Sequence, residues 1–196
     1  MSTLIAGLIL FLGVHSTRVF AEGWRNRVIA STGLNGWKAV YSVLSIAGFV
    51  LIIVGFGQAR HDPVVLWTPP RWTHDVTGLL TLAAFVLVVA AYVPGNAIKA
   101  RLGDPMILGV KSWAFGHLIA NGTLADVVLF GGFLLWAVID FRAARQRRLA
   151  AGGAPVVVRS GRTGVTVLIG IVAWVVFAFW LHARWIGVSP FGVQFG

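Results

Sequence analysis

The chain has 196 residues, of which 58% are hydrophobic and only 11% are charged. Soluble domains are about 45–50% apolar and about 25% charged, so this composition indicates an integral membrane protein. The absence of cysteine excludes disulfides, iron–sulfur clusters, thiolate zinc sites, a cysteine nucleophile and haem attachment through a C-x-x-C-H motif. The net charge of +10 does not indicate nucleic-acid binding, because the basic residues lie between long apolar blocks, where membrane topology explains them.

Six apolar blocks each approach the length of about 20 residues that crosses a bilayer as a helix. They cover residues 2–21, 37–58, 74–94, 105–121, 124–141 and 163–184. A Pro-Gly-Asn sequence ends the third block, and an Asn-Gly-Thr sequence separates the fourth from the fifth. The polar stretch 142–162 is predicted to be a loop. We therefore expect a single domain, residues 1–196, folded as an all-α transmembrane bundle of about six spans.

The distribution of basic residues predicts how this bundle is oriented, because lysine and arginine favour cytoplasmic loops. Thirteen of the sixteen lie in or around the first, third and fifth connections: Arg18, Arg25, Arg27, Lys38, Lys99, Arg101, Lys111, Arg142, Arg145, Arg147, Arg148, Arg159 and Arg162. The opposite side has Arg60, Arg71 and Arg184. This asymmetry predicts an even number of spans with both termini on the non-cytoplasmic side.

Two histidines, His15 and His117, lie within predicted spans, where a polar ring is costly unless it is hydrogen-bonded or ligates a metal. His15 lies roughly 20 Å below the outer end of its span, and His117 lies roughly 15–20 Å above the inner end of its own. Two imidazoles at one depth could hold an iron from opposite sides. Alternatively, each ring joins neighbouring helices by a hydrogen bond. The other histidines, His61, His74 and His182, are predicted near the outer surface.

Short motifs occur along nearly the whole chain. They comprise residues 11–18 (FLGVHSTR), 67–70 (WTPP), 76–80 (VTGLL), 92–95 (YVPG), 98–103 (IKARLG), 109–114 (GVKSWA) through 117–122 (HLIANG), 180–182 (WLH) and 187–191 (GVSPF). Together they resemble the NnrU family of bacterial membrane proteins, which is associated with nitrite and nitric oxide reduction in denitrifiers. The resemblance implies a multi-pass protein of the bacterial inner (cytoplasmic) membrane.

The superfamily that contains NnrU also includes the plant 15-cis-zeta-carotene isomerase, an integral membrane haem b enzyme. Its first ligand histidine lies in a Val-His-Ser motif, which residues 14–16 resemble. Its second lies in an Ala-His sequence followed shortly by Gly-Asn-Thr, which residues 117–123 approximate with Asn and Gly exchanged. A third histidine of the plant enzyme lies in a Val-His-Glu sequence, which Thr73-His74-Asp75 of this chain resembles.

The resemblance implies that His15 and His117 are the axial ligands of a non-covalent haem b, with His74 as a possible auxiliary ligand. The plant enzyme has a cysteine three residues before its second ligand histidine, and it has been proposed to take part in a ligand switch. This chain has Ala114 at that position. A thiolate-dependent switch is therefore not implied here, and any ligand exchange would require release of a histidine.

These observations lead to one main expectation for function and two alternatives. The first is a haem b-binding membrane protein of the NnrU kind that supports nitrite and nitric oxide respiration. The second is a haem-dependent cis–trans isomerase of a polyene, which requires a ligand that dissociates. The third is a carrier or scaffold without a cofactor. The expected partners are the lipid bilayer, haem, and either a long apolar substrate or a redox partner.

Overall fold

The computed structural model describes residues 1–152 and 157–191. In this part of the chain the protein is helical apart from turns, irregular segments and one isolated antiparallel bridge between Val65 and Thr123. The predicted all-α fold class is therefore confirmed. The helices are α1 (Ser2–His15), α2 (Thr17–Phe20), α3 (Glu22–Ala59), α4 (Trp72–Tyr92), α5 (Ala97–Leu102), α6 (Pro105–Ala120), α7 (Leu124–Ala150), α8 (Arg162–Val176), a π-helical turn (Phe177–Leu181) and α9 (His182–Ile186).

Four of the described helical segments are long and apolar enough to cross a membrane: α3, α4, α7 and the continuous run Arg162–Ile186. They overlap the second, third, fifth and sixth predicted blocks. The first block contains α1, a shorter apolar helix, and the fourth contains α6, which has 16 residues. Four candidate spans are thus supported. That α1 and α6 also cross the membrane stays a prediction.

The fifth block continues as a helix beyond its predicted end. α7 extends to Ala150, so the prediction of a loop over residues 142–162 is wrong for residues 142–150. Residues 142–150 consist of Ala, Arg, Gln and Leu. All four residue types are strong helix formers, including the polar ones. Arg148 also donates to the Asp104 carboxylate at 2.7 Å, which anchors the extension. Residues 153–156 of the predicted loop lie outside the described residues.

The second block is preceded by an additional helical segment. α3 begins at Glu22, before the predicted start at residue 37, and Gly33 interrupts it with φ 76° and ψ 164°. Glycine adopts this positive-φ conformation without the steric penalty that a Cβ imposes. The sequence before Gly33 contains Arg25 and Arg27 and is too polar to read as part of a span.

The chain divides into two compact units. The first unit contains residues 1–67 and 122–140, and the second contains residues 68–121 and the described residues from Phe141 onward. His15 therefore belongs to the first unit, whereas His74, His117 and His182 belong to the second. The expectation of a single domain is not tested by this division and stays a prediction.

In the first unit, glycines bring the backbones of α1 and α3 into contact. A Cβ at Gly7 would lie 2.6 Å from the backbone nitrogen of Ile52, and one at Gly48 would lie 2.8 Å from that of Phe11. A Cβ at Gly55 would overlap the α1 backbone. Small residues at helix interfaces allow this close approach, and van der Waals contact is a main source of stability between helices in lipid.

The contact between α1 and α3 makes Gly55 intolerant of even one methyl group. We expect Gly55→Ala to destabilise the protein by roughly 1–3 kcal/mol, because the new methyl group meets backbone atoms that have no room to move. The measurement is the midpoint of thermal unfolding in detergent. Gly57→Ala is the matched control, since no atom lies within 4 Å of its Cβ position. Equal midpoints for the two variants would contradict the packing described here.

In the second unit, hydrogen bonds from side chains join α4 to α6. Thr77 Oγ1 donates to the carbonyl of Gly116 at 2.7 Å, and Ser112 Oγ donates to the carbonyl of Leu80 at 2.7 Å. The two bonds are one helical turn apart along α6, since they involve residues 112 and 116. They therefore fix α6 against α4 immediately before His117.

Candidate functional site

The second unit contains a cavity of about 720 Å³, which is within the range of roughly 300–1,000 Å³ that is typical of ligand sites. α4, α6, α8, the π-helical turn and the segment after α9 contribute to its walls. Three of the five histidines line it: His74, His117 and His182. Other polar and aromatic side chains also line it, namely Arg71, Asp75, Thr77, Thr81, Phe85, Trp113, Asn121, Trp174, Phe177 and Phe191.

His117 is half-buried near the end of α6, where its ring contacts the preceding turn. Its Nδ1 lies 2.9 Å from the carbonyl oxygen of Trp113, and the two rings are 5.4 Å apart. Because a carbonyl oxygen only accepts, Nδ1 must carry the proton of this hydrogen bond. In the neutral ring, Nε2 therefore carries the lone pair, which is the form in which histidine binds metals.

His182 enters the cavity wall through the π-helical turn Phe177–Leu181. A π-helical turn contains more residues than an α-helical one, so it changes the direction in which the following side chains point, and such turns are frequent at functional sites. The ring of His182 lies edge-on to Phe177 at 5.8 Å. Its Nδ1 donates to the carbonyl of Val188 at 2.7 Å, which again leaves the lone pair on Nε2.

Sequence reasoning assigned no role to His182 beyond a position near the outer surface. The signal that could have identified it is the Trp-Leu-His sequence among the family-like motifs. Its place in the cavity depends on the π-helical turn, which no pattern in the sequence indicated. His74, by contrast, was identified as an auxiliary residue, and it does lie in the cavity wall, exposed in the first turn of α4.

The cavity is polar at one end and mainly aromatic along the rest of its length. Arg71, His74 and Asp75 line it at the N-terminal end of α4, and Phe85 lines it about three turns deeper. At a rise of about 1.5 Å per residue, the lining along α4 from Arg71 to Phe85 spans roughly 20 Å. The cavity therefore suits an elongated ligand better than a small one.

Aromatic rings close the side of the cavity that faces α8. Trp174 donates from Nε1 to Thr81 Oγ1 at 3.0 Å, and Phe191 lies edge-on to Trp174 at 6.0 Å. Phe191 also packs on Gly78, where a Cβ would lie 2.8 Å from its ring. The segment after α9 thus packs against α4 at Gly78, where the absence of a side chain lets the Phe191 ring approach the helix.

In the first unit, His15 lies at the end of α1 within a cluster of aromatic rings. Its Nδ1 donates to the carbonyl of Phe11 at 2.7 Å, so Nε2 carries the lone pair in the neutral ring, as in His117. The ring stacks on Phe11 at 4.2 Å, with Tyr41 at 5.2 Å and Trp136 edge-on at 6.1 Å.

In the first unit, Trp136 Nε1 is buried without a hydrogen-bond partner among the described residues. Ser45, one turn after Tyr41 on α3, forms a side-chain hydrogen bond with Tyr41. Buried polar groups almost always have partners, so each unsatisfied one indicates a bound group or water. Because Trp136 contacts His15, its unpaired indole nitrogen is consistent with a ligand beside that histidine.

The structure thus brings His74 and His117 to one cavity and places His15 in an aromatic cluster of the other unit. Within the described ranges, no group of three or more His, Asp or Glu side chains could hold a metal ion. That finding does not test a haem, whose iron takes only two axial imidazoles. The ligand roles of His15, His117 and His74 stay predictions.

Comparison with known proteins gives one match. A family model described as NnrU protein matches residues 3–190. The chain belongs to the NnrU family. No curated protein and no solved structure matches it. The resemblance drawn from the short motifs is therefore confirmed, and the match to NnrU includes all five histidines.

The carbonyl contacts predict the tautomers of three histidines in this NnrU protein. In protein prepared without haem at a pH where the rings are neutral, we expect the Nδ1–H form for His15, His117 and His182. Two-bond ¹H–¹⁵N correlation spectra of histidine-labelled protein would measure it. His61, which is exposed in a turn, is the control and should show an average of both tautomers. An Nε2–H form at His15 or His117 would contradict the structure.

Proposed function

We propose that this NnrU protein binds haem b in the bacterial inner membrane, with His15 and His117 as its axial ligands, and supports nitrite and nitric oxide respiration. The observation that carries the proposal is the hydrogen bond that both rings form, because it gives them the same tautomer. Each donates from Nδ1 to the carbonyl four residues earlier, at 2.7 Å for His15 and 2.9 Å for His117. Metal-bound histidines typically make this second hydrogen bond, which fixes the ring and raises its basicity as a ligand.

The surroundings of the two rings also suit a large flat cofactor. Haem would supply one-electron chemistry when bound. On the protein side, Phe11 and Trp136 cover His15, and Trp113 covers His117, so that these rings exclude water. Neutral imidazoles add no charge to the hydrocarbon region, where a charge is costly. His74 would act as an auxiliary ligand or as a polar group at the cavity mouth.

We further propose that α1 and α6 complete a six-span topology with both termini on the non-cytoplasmic side. The support is the distribution of basic residues, thirteen of which fall in connections that this topology places in the cytoplasm. α6 has 16 residues, so it extends about 24 Å, which is short for a bilayer core of about 30 Å. Local thinning of the bilayer accommodates short spans at modest cost.

An absorption spectrum of the detergent-purified protein, before and after dithionite, tests haem binding. We expect sharp α and β bands on reduction, which are typical of a low-spin haem with two histidine ligands. His15→Ala and His117→Ala should abolish this spectrum, because each removes one axial ligand. His61→Ala and His182→Ala are the controls and should retain it.

Imidazole separates loss of a ligand from loss of fold. Imidazole added to His117→Gly should restore the low-spin spectrum, since the free ligand occupies the space of the missing ring. Equal loss of the spectrum in all four alanine variants would contradict the ligand assignment. A spectrum that stays featureless after haem is added would instead support the carrier or scaffold without a cofactor.

The elongated aromatic cavity favours a second candidate function, cis–trans isomerisation of a polyene by the haem-containing protein. This function requires one histidine to leave the iron, whereas an electron carrier keeps both. Carbon monoxide added to the reduced protein distinguishes the two, because it binds only where a coordination position opens. We expect no spectral change with carbon monoxide, and a shifted Soret band would favour the isomerase.

A further inference from the structure

The polar end of the cavity contains two opposite charges that the protein does not neutralise. Arg71 and Asp75 both line it, and neither forms an ion pair with any residue in the described ranges. We propose that this cavity binds a neutral, lipid-soluble quinol or quinone, with the head ring at the polar end and the tail along the aromatic wall. A redox role for this ligand rests on the proposed function. Binding of the ligand in the cavity does not require haem.

The charges at the polar end select the type of head group. A carboxylate head would be attracted by the Arg71 guanidinium but repelled by the Asp75 carboxylate, and a cationic head would meet the reverse, so the two charges offset each other for either ion. A neutral head that both donates and accepts hydrogen bonds is compatible with both residues. A quinol is such a head, whereas a fatty acid is not.

The hydrogen-bonding groups at this end match both redox forms of a quinone. The Asp75 carboxylate accepts hydrogen bonds, and so does Nε2 of His182, because its Nδ1 is already donating to Val188. These two acceptors equal in number the two O–H donors of a quinol. Arg71 has only donors, which match a quinone carbonyl. The reduced and oxidised forms could therefore occupy the same position.

Farther along the cavity, the threonine hydroxyl groups are satisfied within the protein and do not require a polar ligand. Thr77 Oγ1 donates to carbonyls of α4 and α6, and Thr81 Oγ1 donates to carbonyls of α4 and accepts from Trp174. The remaining wall is mainly aromatic, with Trp113, Phe85 and Phe177. The lining along α4, roughly 20 Å long, is sufficient for a head ring and a tail of several carbons.

Equilibrium dialysis with decylubiquinone tests the proposal on the full-length protein in detergent, with empty micelles as the blank. We expect saturable binding at one site per chain. Asp75→Ala and His182→Ala should each weaken it by about tenfold, because each removes one hydrogen bond to the head group. Asp62→Ala and His61→Ala are the matched controls in the exposed turn after α3 and should bind like the unaltered protein.

A further variant tests occupancy of the apolar part of the cavity. Ala178 is buried in the cavity wall, so Ala178→Leu should reduce binding by filling space next to Phe177. Thermal unfolding of each variant identifies any that fails to fold. The proposal is overturned by binding no greater than to empty micelles, by equal affinities in the Asp75 and Asp62 variants, or by oleate that displaces the quinone at lower concentration.

The Soret absorbance of the same samples separates this proposal from the haem proposal. Saturable quinone binding without a Soret band would support the cavity assignment and contradict the proposed haem function. A haem spectrum without quinone binding would do the opposite.

Discussion

A polar side chain surrounded by hydrocarbon must find its hydrogen-bond partner on the protein, because no water is present to supply one. In this NnrU protein the partner is repeatedly a carbonyl of the preceding helical turn: Ser16 donates to Leu12, Asn121 to His117, and Thr77 to Thr73. His15 and His117 follow the same rule with Nδ1. A purely local requirement for hydrogen bonding therefore sets the tautomer of these two rings. It leaves Nε2 as the nitrogen that can accept a hydrogen bond or bind a metal.

Close packing of glycine-containing helices converts these local bonds into fixed positions. Gly48 and Gly55 let α3 approach α1 until their backbones touch, so α1 has little freedom to rotate and His15 stays among its aromatic neighbours. Gly170 performs the same role in the second unit, where a Cβ would lie 2.7 Å from the Cα of Val86 in α4. Ligand geometry in a membrane protein depends on such contacts, since lipid provides no hydrophobic force between helices.

The sequence was sufficient to predict the class of fold and the four helices that are long and apolar enough to cross a membrane, and it singled out His15 and His117. These features depend on composition and on the cost of a polar ring in lipid, which are properties of single segments. The position of His182 was not predictable, because no recognisable motif marks the π-helical turn that precedes it. The helical extension to Ala150 was missed because a run of arginines was interpreted as loop, although arginine is a good helix former.

Ala114 stands where the plant enzyme that the chain resembles has a cysteine, and this difference bears on the choice between the proposed functions. Ala114 is fully buried, so this position serves packing and offers no ligand. The hydrogen bonds from Ser112 to Leu80 and from Thr77 to Gly116 hold α6 against α4 on both sides of it. If His117 ligates a haem as proposed, its release would have to occur by rotation of the side chain away from the Trp113 carbonyl, on a helix that is fixed at two points and with no thiolate to replace the ring. A histidine held in this way suits an electron carrier, which keeps both ligands, better than an isomerase, which must lose one.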